Sequence, residues 1–338
     1  VVAGHTDRVN SPPGENSDTD ESHQLTRQIA DWLTQQVFQA QLEDVVPDDL
    51  VREMPSEPKR FSDLRPPYQG RPPWLIRMIL PELTGGRMTE KQLAAIGERP
   101  DALALTISGL NQATFETLIA TYGSQFLAIE FFKCPRITDL SPLEDLPQLR
   151  LANFFWNQRA VRLWNLSRNP SLTGLAFEKF NKLHDLDDLR AGTSLQELKF
   201  GDGLSGPGMV VKSLDPITGL DNLLSLSFRA KIEDGRIEPL GHLTGLEELD
   251  FPTNLFTTRQ LAWLRAKLPD SVKSRVLAPV ELLKDPAEGS HGQPQDVLLI
   301  GKHKPFLNSA ADEARIKKHI DQFWHMVDTF RHDPGLTP

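Results

Sequence analysis

Apolar residues in this chain recur with a long period. The triplets Phe126/Ile129/Phe131, Leu149/Ala152/Phe154, Leu172/Leu175/Phe177 and Leu195/Leu198/Phe200 share one internal spacing, and their starts lie 23 residues apart. Leu223/Leu226/Phe228 follows after 28 residues, Leu246/Leu249/Phe251 after a further 23, and Ala102/Leu105/Ile107 precedes the series by 24. A second apolar set keeps the same phase: Leu140, Leu143 and Leu146 recur as Leu163 and Leu166, as Leu186 and Leu189, and as Ile237, Leu240 and Leu243. The pattern predicts a short strand whose first, fourth and sixth positions point inward, then a turn and a looser return closing the same core. One such row cannot bury both halves alone, so the rows must stack, and seven strands at ~4.8 Å spacing make a parallel sheet about 30 Å across.

The ninth position of a row holds Cys134, Asn157 and Asn254, residue types that satisfy backbone groups where the chain leaves a strand. In other rows it holds Phe180, Gly203 and Lys231. The row "FLAIEFFKCPRITDLSPLEDLPQ" (126–148) resembles both the cysteine-type and the short internalin-type bacterial forms of the leucine-rich repeat family. The resemblance covers about residues 101–271. It implies an α/β fold, a leucine-rich repeat solenoid with a curved parallel sheet on its concave face, a helical N-terminal region and a C-terminal strand-plus-helix cap. It also implies partner recognition, including immunity or effector contexts. The secretion signal and anchoring tail of the internalins are not seen in this sequence.

The flanks read as caps over the apolar ends of the stack. Residues 1–21 are polar, acidic and turn-rich, the composition of a disordered tail. From Ser22, an N-cap residue, Leu25, Ile29, Trp32, Leu33, Val37 and Ala40 keep helical spacing. A proline-rich connector at 65–74 follows, and Thr89 with Gln92 matches a capping box, so 22–100 is expected to be a helical capping region. At the other end, 257–269 reads as a helix, and "SRVLAPVELL" and "QDVLLIG" read as two strands. A closing helix shows an apolar stripe of Ile316, Ile320, Phe323, Val327 and Phe330, so 272–338 forms the second cap.

One glycine string, Gly201, Gly203 and Gly206, has the G-x-G-x-x-G form of a phosphate-binding turn. Such a turn needs a helix opening at the third glycine. Here Pro207 and Gly208 follow Gly206, and removing five residues restores the phase of Leu214, Ile217 and Leu220. The string is therefore expected to be an insertion on the rim of the solenoid.

Composition narrows the function. Forty-six acidic against 37 basic residues give a net charge of −9, which disfavours nucleic acid and anionic membranes as partners. No run of apolar residues approaches a membrane span, and the single Cys134 excludes an internal disulfide, so the expected location is cytoplasmic. His319, His325 and His332 lack ligand spacing on one helix face. Glu248 and Asp250 share an outward strand face and read as a solvated edge, with Glu247 beside them. No nucleophile elbow, Walker loop, metal set or cofactor motif is present, so no catalytic residue, metal or cofactor is assigned.

The outward face of the sheet remains. Positions three, five and seven of the rows line it, and most are small or polar. Phe132, Leu151 and Phe155, with Trp156 next in sequence, are expected to stand together as an exposed apolar patch, either open to a partner or covered by a flanking segment. Gly174 and Ala176 leave a hollow beside them. Glu130, Asn153, Glu178, Lys199, Arg229 and Asp250 complete the candidate partner-binding set. The sequence reading is a non-catalytic module that binds a protein or peptide on this face. The alternatives are an enzyme or accessory subunit with active groups in the flanks, and an acidic antitoxin or immunity-type inhibitor.

Overall fold

In a computed structural model the chain divides into two compact units. The structure describes residues 61, 75–202, 208–288 and 294–338, all within the unit formed by Glu53–Leu64 and Pro73–Pro338. The tail expected at 1–21, the helix expected from Ser22 and the connector at 65–74 lie outside the described residues.

The 23-residue rows stack as parallel strands. In chain order these are β1 (Leu75–Met78), β2 (Ala104–Ser108), β3 (Ala128–Phe132), β4 (Leu151–Asn157), β5 (Gly174–Phe180) and β6 (Glu197–Gly201), then β7 (Met209–Val211), β8 (Ser225–Ile232) and β9 (Glu248–Asp250). Hydrogen bonding runs β1 to β6 in order and then to β8, which carries both β7 and β9. The register sets Ile129, Ala152, Leu175, Leu198, Leu226 and Leu249 in one inward column. Phe131, Phe154, Phe177, Phe200 and Phe228 form the next column.

These phenylalanines form a buried spine. Phe131 stacks on Phe154 at 4.6 Å, Phe177 on Phe200 at 5.5 Å, Phe200 on Phe228 and Phe228 on Phe251 at 5.2 Å. Phe180, standing at a ninth position, makes edge contacts with both Phe154 and Phe177. Each buried ring is worth roughly 1.5–3 kcal/mol, and each well-placed ring pair adds about 0.5–1.5 kcal/mol. The returns are short 3₁₀ turns, at Ser141–Asp145, Asp187–Ala191 and Glu238–His242, which bury Leu143, Leu189 and Leu240. The row after β2 returns instead through a helix.

Four α-helices are described. α1 (Glu90–Leu93) carries the expected Thr89/Gln92 capping box. α2 (Gln112–Tyr122) is capped by Asn111 and sets Phe115 edge-on to Phe131 at 5.5 Å. α3 (Thr258–Lys267) fills the expected 257–269 segment, and α4 (Glu313–His332) carries the terminal stripe, with Phe323, Val327 and Phe330 buried. Trp263 Nε1–H on α3 donates to the Leu336 carbonyl at 3.1 Å, and the Arg259 guanidinium lies 4.8 Å from the Phe330 ring. Between these helices β10 (Val280–Glu288), β11 (Pro294–Leu299) and β12 (Phe306–Leu307) form an antiparallel sheet, one strand more than the two read from the sequence.

Two local features differ from the sequence expectation or refine it. β1 stands within the segment read as helical, paired in register with β2 through Ile76↔Leu105 and Met78↔Ile107. Gly203 and Gly206 of the glycine string lie outside the described residues, and the segment that resumes at 208 enters β7, which runs parallel to the extended end of β8 through Met209↔Ala230 and Val211↔Ile232. Gly201 sits at φ +112°, and a Cβ there would lie 2.2 Å from the Arg229 carbonyl oxygen. That glycine is required by the close approach of two backbones, with a strand and no helix following at Met209.

Candidate recognition surface

Strand pairing arranges the outward residues in three columns. The first runs Ala128, Leu151, Gly174, Glu197, Ser225 and Glu248. The second runs Glu130, Asn153, Ala176, Lys199, Ser227 and Asp250, and the third Phe132, Phe155, Glu178, Gly201 and Arg229. All ten residues named from the sequence except Trp156 therefore occupy these columns.

Polar members of the face are tied to one another across strands. Glu130 accepts from Thr106 Oγ1 at 3.0 Å and from Asn153 Nδ2 at 3.1 Å. Lys199 Nζ meets Glu178 at 2.7 Å. Asp250 accepts from Arg229 and from Arg275, the latter at 3.0 Å, and Arg275 reaches Glu281 at 3.5 Å. The edge at Asp250 is thus a charge network rather than the solvated pair expected. Glu248 is exposed and does not join it among the contacts described. Partly exposed pairs of this kind contribute at most about 1 kcal/mol each, so their main effect is to hold side chains in place.

The apolar patch is assembled but not exposed. Phe132 and Phe155 stack in parallel at 5.3 Å, and they are 8% and 7% exposed. Leu151, also expected on the open patch, is 1% exposed. Two ammonium groups lie over the ring pair, with Lys133 Nζ 5.0 Å from the Phe132 ring and Lys179 Nζ 5.5 Å from that of Phe155. Burial, and next the neighbouring Lys179 ammonium, pull the Lys133 pKa below its ordinary value.

The same rows share a backbone device. Lys133, Trp156 and Lys179, at the eighth position of three successive rows, have φ of 51°, 67° and 57°. A left-handed non-glycine residue costs about 1–2 kcal/mol. Each of these bends is followed by a ninth residue that is buried: Cys134, Asn157 and Phe180. Trp156 therefore sits at the bend rather than in a column, half-buried.

At the ninth position Cys134 Sγ lies 3.7 Å from the Ile107 carbonyl, and burial pushes its thiol up to about 12. Such a thiol is held neutral and is a poor nucleophile. Asn157 Nδ2–H donates to the Ile137 carbonyl at 2.9 Å, while its Oδ1 accepts from the N–H groups of Arg159 and Ala160. Asn169 does similar work in a return. It donates to the Leu143 and Leu146 carbonyls at 2.8 and 2.7 Å and accepts from Trp164 Nε1–H at 2.6 Å. Asn169 is absent from the residues expected from the sequence; its signal is a polar residue standing 23 positions after Leu146 in an apolar column.

Among the described residues, Phe61 of the N-terminal region lies on this face. Phe61, half-buried, donates its main-chain N–H to Glu197 Oε2 at 2.7 Å. Its ring lies over Gly174, where an added Cβ would stand 3.3 Å from Phe61 Cε2 and 2.5 Å from Leu151 Cδ2. The hollow at Gly174 is thus occupied by the chain itself. The hollow is legible in the sequence and its occupant is not, because a lone aromatic in a proline-rich and charged stretch has no periodic signal.

Among the described residues no group of three or more His, Cys, Asp or Glu side chains is placed to hold a metal ion, and no helix is long and apolar enough to cross a membrane. Near β9 an open cavity of about 380 Å³ is lined by Ser225, Ser227, Asp250, Lys273 and Arg275.

In-register parallel strands, a shared phenylalanine spine and a closing turn in each row define a leucine-rich repeat solenoid. Solved structures of that class are similar to the chain. An internalin, inlF, from Listeria monocytogenes matches with 20% identity and TM-score 0.34 over 54% of this chain and 55% of its own. The Drosophila Toll–Spätzle complex matches with 14% identity and TM-score 0.39 over 54% of this chain and 25% of the other. A TLR13–ssRNA13 complex matches with 13% identity and TM-score 0.39, covering 59% and 32%. The chain thus spans little more than half the length of the internalin structure and about a third or less of the two receptors. No protein-family model and no curated protein matches it.

Proposed function

We propose that the chain is a non-catalytic recognition module that holds a protein or peptide against the concave face of its solenoid. The supporting observation is the register itself: Glu130, Asn153, Glu178, Lys199, Arg229 and Asp250 are fixed in adjacent columns, half-buried and cross-tied, around the buried Phe132/Phe155 pair. A rigid sheet that presents ordered charged and polar groups beside aromatic side chains suits a protein surface. The net charge of −9 favours a protein over nucleic acid.

The test is co-purification from the native cell extract, comparing the wild type with Lys199→Ala/Arg229→Ala. Both side chains are partly exposed, so the variant should keep its melting temperature within a few degrees. The bound protein should fall by about tenfold or more, as expected when central charged contacts of an interface are lost. Equal recovery from a folded variant refutes the concave-face reading.

A further inference from the structure

The contact between Phe61 and Glu197 joins residues 136 positions apart and lies on the outward side of the sheet. It is separable from the fold. The inward columns at this level are already closed by Leu175, Phe177, Leu198 and Phe200, each exposed by no more than 1%. Phe61 adds nothing to that spine. Its ring uses the one place in the first outward column where a glycine follows a leucine, so that a side chain from outside can reach the sheet between Leu151 and Glu197. Its main-chain N–H, presented from a 3₁₀ turn, is recognised by a carboxylate, a contact that a peptide with a free N–H at its aromatic residue can offer.

We propose that Leu151, Gly174 and Glu197 form a subsite for an aromatic residue of a peptide, that the chain fills this subsite with its own Phe61, and that a partner binds by replacing Phe61. The inference rests on the concave-face reading above and names the anchor that reading lacks. The ring supplies buried area in the hollow of Gly174, while Glu197 holds the main chain of the aromatic residue through its N–H. In sequence Phe61 follows Lys59 and Arg60, and the outward columns carry Glu130, Glu178, Glu197, Glu248 and Asp250 against Lys199 and Arg229. The competing peptide is accordingly basic on the amino-terminal side of its aromatic residue. Self-occupation lowers the apparent affinity for such a peptide by the fraction of molecules whose subsite is empty.

The experiment uses the full chain and a fluorescein-labelled peptide of residues 55–65, PSEPKRFSDLR, read by fluorescence anisotropy. Phe61→Ala should bind the peptide about tenfold or more tighter than the wild type. The same peptide with alanine in place of its phenylalanine should bind Phe61→Ala at least about tenfold more weakly. Phe61→Ala/Gly174→Leu, which fills the hollow, should lose binding. Phe61→Ala/Glu197→Gln keeps the shape of the site and should weaken it about tenfold, which covers the case in which the leucine variant fails to fold. Equal affinity of wild type and Phe61→Ala, indifference to the phenylalanine of the peptide, or no binding to Phe61→Ala each overturns the proposal. Peptide binding together with unchanged co-purification in Lys199→Ala/Arg229→Ala would leave the subsite standing and remove the wider interface. Loss of the co-purified protein without peptide binding would do the reverse.

Discussion

Gly201 shows how a single position constrains this solenoid. Its φ of +112° and the 2.2 Å gap between a notional Cβ and the Arg229 carbonyl oxygen leave no room for alanine unless β6 and β8 part. Gly201→Ala should therefore cost roughly 1–3 kcal/mol, measurable as a lowered urea midpoint at unchanged slope. Asn169 is the polar counterpart. Replacement by leucine keeps the bulk but leaves the Leu143 and Leu146 carbonyls and Trp164 Nε1–H without their partner. Each buried orphan costs about 1–3 kcal/mol, so Asn169→Leu should destabilise more than Asn157→Ser at the strand exit, where a hydroxyl retains part of the bonding. A larger loss at Asn157 would sink that ranking. Asn157 was legible because it falls where repeats place such a residue, whereas Asn169 interrupts a column that reads as plain hydrophobic core.

Among the elements, the rows were legible and the caps less so, for a physical reason. Every row from β2 to β9 repeats the same inward columns, so an error in one is corrected by its neighbours. β1 escapes the pattern because it pairs with β2 at an offset of 29 residues, Ile76 to Leu105, and its row opens on Pro73. β12 is two residues long and carries no periodicity at all. The outward face was legible as a set of columns, but its burial was not, since exposure depends on residues such as Phe61 that arrive from elsewhere in the chain. The cap also holds a titratable group that helical spacing does not distinguish. His319 on α4 is 5% exposed, and its Nε2–H donates to the Pro279 carbonyl at 3.0 Å. Burial, and next the Lys304 ammonium, draw its pKa below the ordinary 6.5, partly offset by its hydrogen bonds to the main chain of Pro279 and Ile300, which accept from the ring. The folded cap thus disfavours the charged ring relative to the unfolded chain, which protonates near 6.5, so the unfolded state binds more protons as the pH falls through that value. Stability from this group is fully present above about pH 6.5 and declines in more acidic solution. Melting temperatures compared at pH 7.5 and 5.5 should show a smaller acid-induced drop in His319→Gln than in the wild type, and an equal drop in both would reject the assignment.

For the whole molecule, the spine makes stability a property of neighbours rather than of a single centre. Rows contact only adjacent rows, so free energy is approximately a sum of row terms and nearest-neighbour couplings. Phe200 lies in the middle, stacked at 5.5 Å on Phe177 and at 5.2 Å on Phe228. Phe200→Ala removes both stacks and leaves a cavity, a loss of about 3–5 kcal/mol that falls on two couplings at once. Phe251 stacks on Phe228 and edge-on to Phe256, at the last row before α3. The same substitution there should cost a similar amount but fray the array from one end. Amide exchange separates the two cases. In Phe200→Ala protection should fall most in β5, β6 and β8 while β2 and β3 retain theirs, and in Phe251→Ala the loss should be confined to β8, β9 and the C-terminal cap. If either variant lowers protection uniformly from β1 to β9, the rows unfold as one cooperative block and the nearest-neighbour account is wrong. Under that account, anything seated across Leu151, Gly174 and Glu197 bridges β4, β5 and β6 from outside and couples three rows that the spine joins from within. Occupation of the subsite, by Phe61 or by a peptide, should therefore raise protection in those three strands above that of the emptied Phe61→Ala protein, and β8 and β9 should stay unchanged.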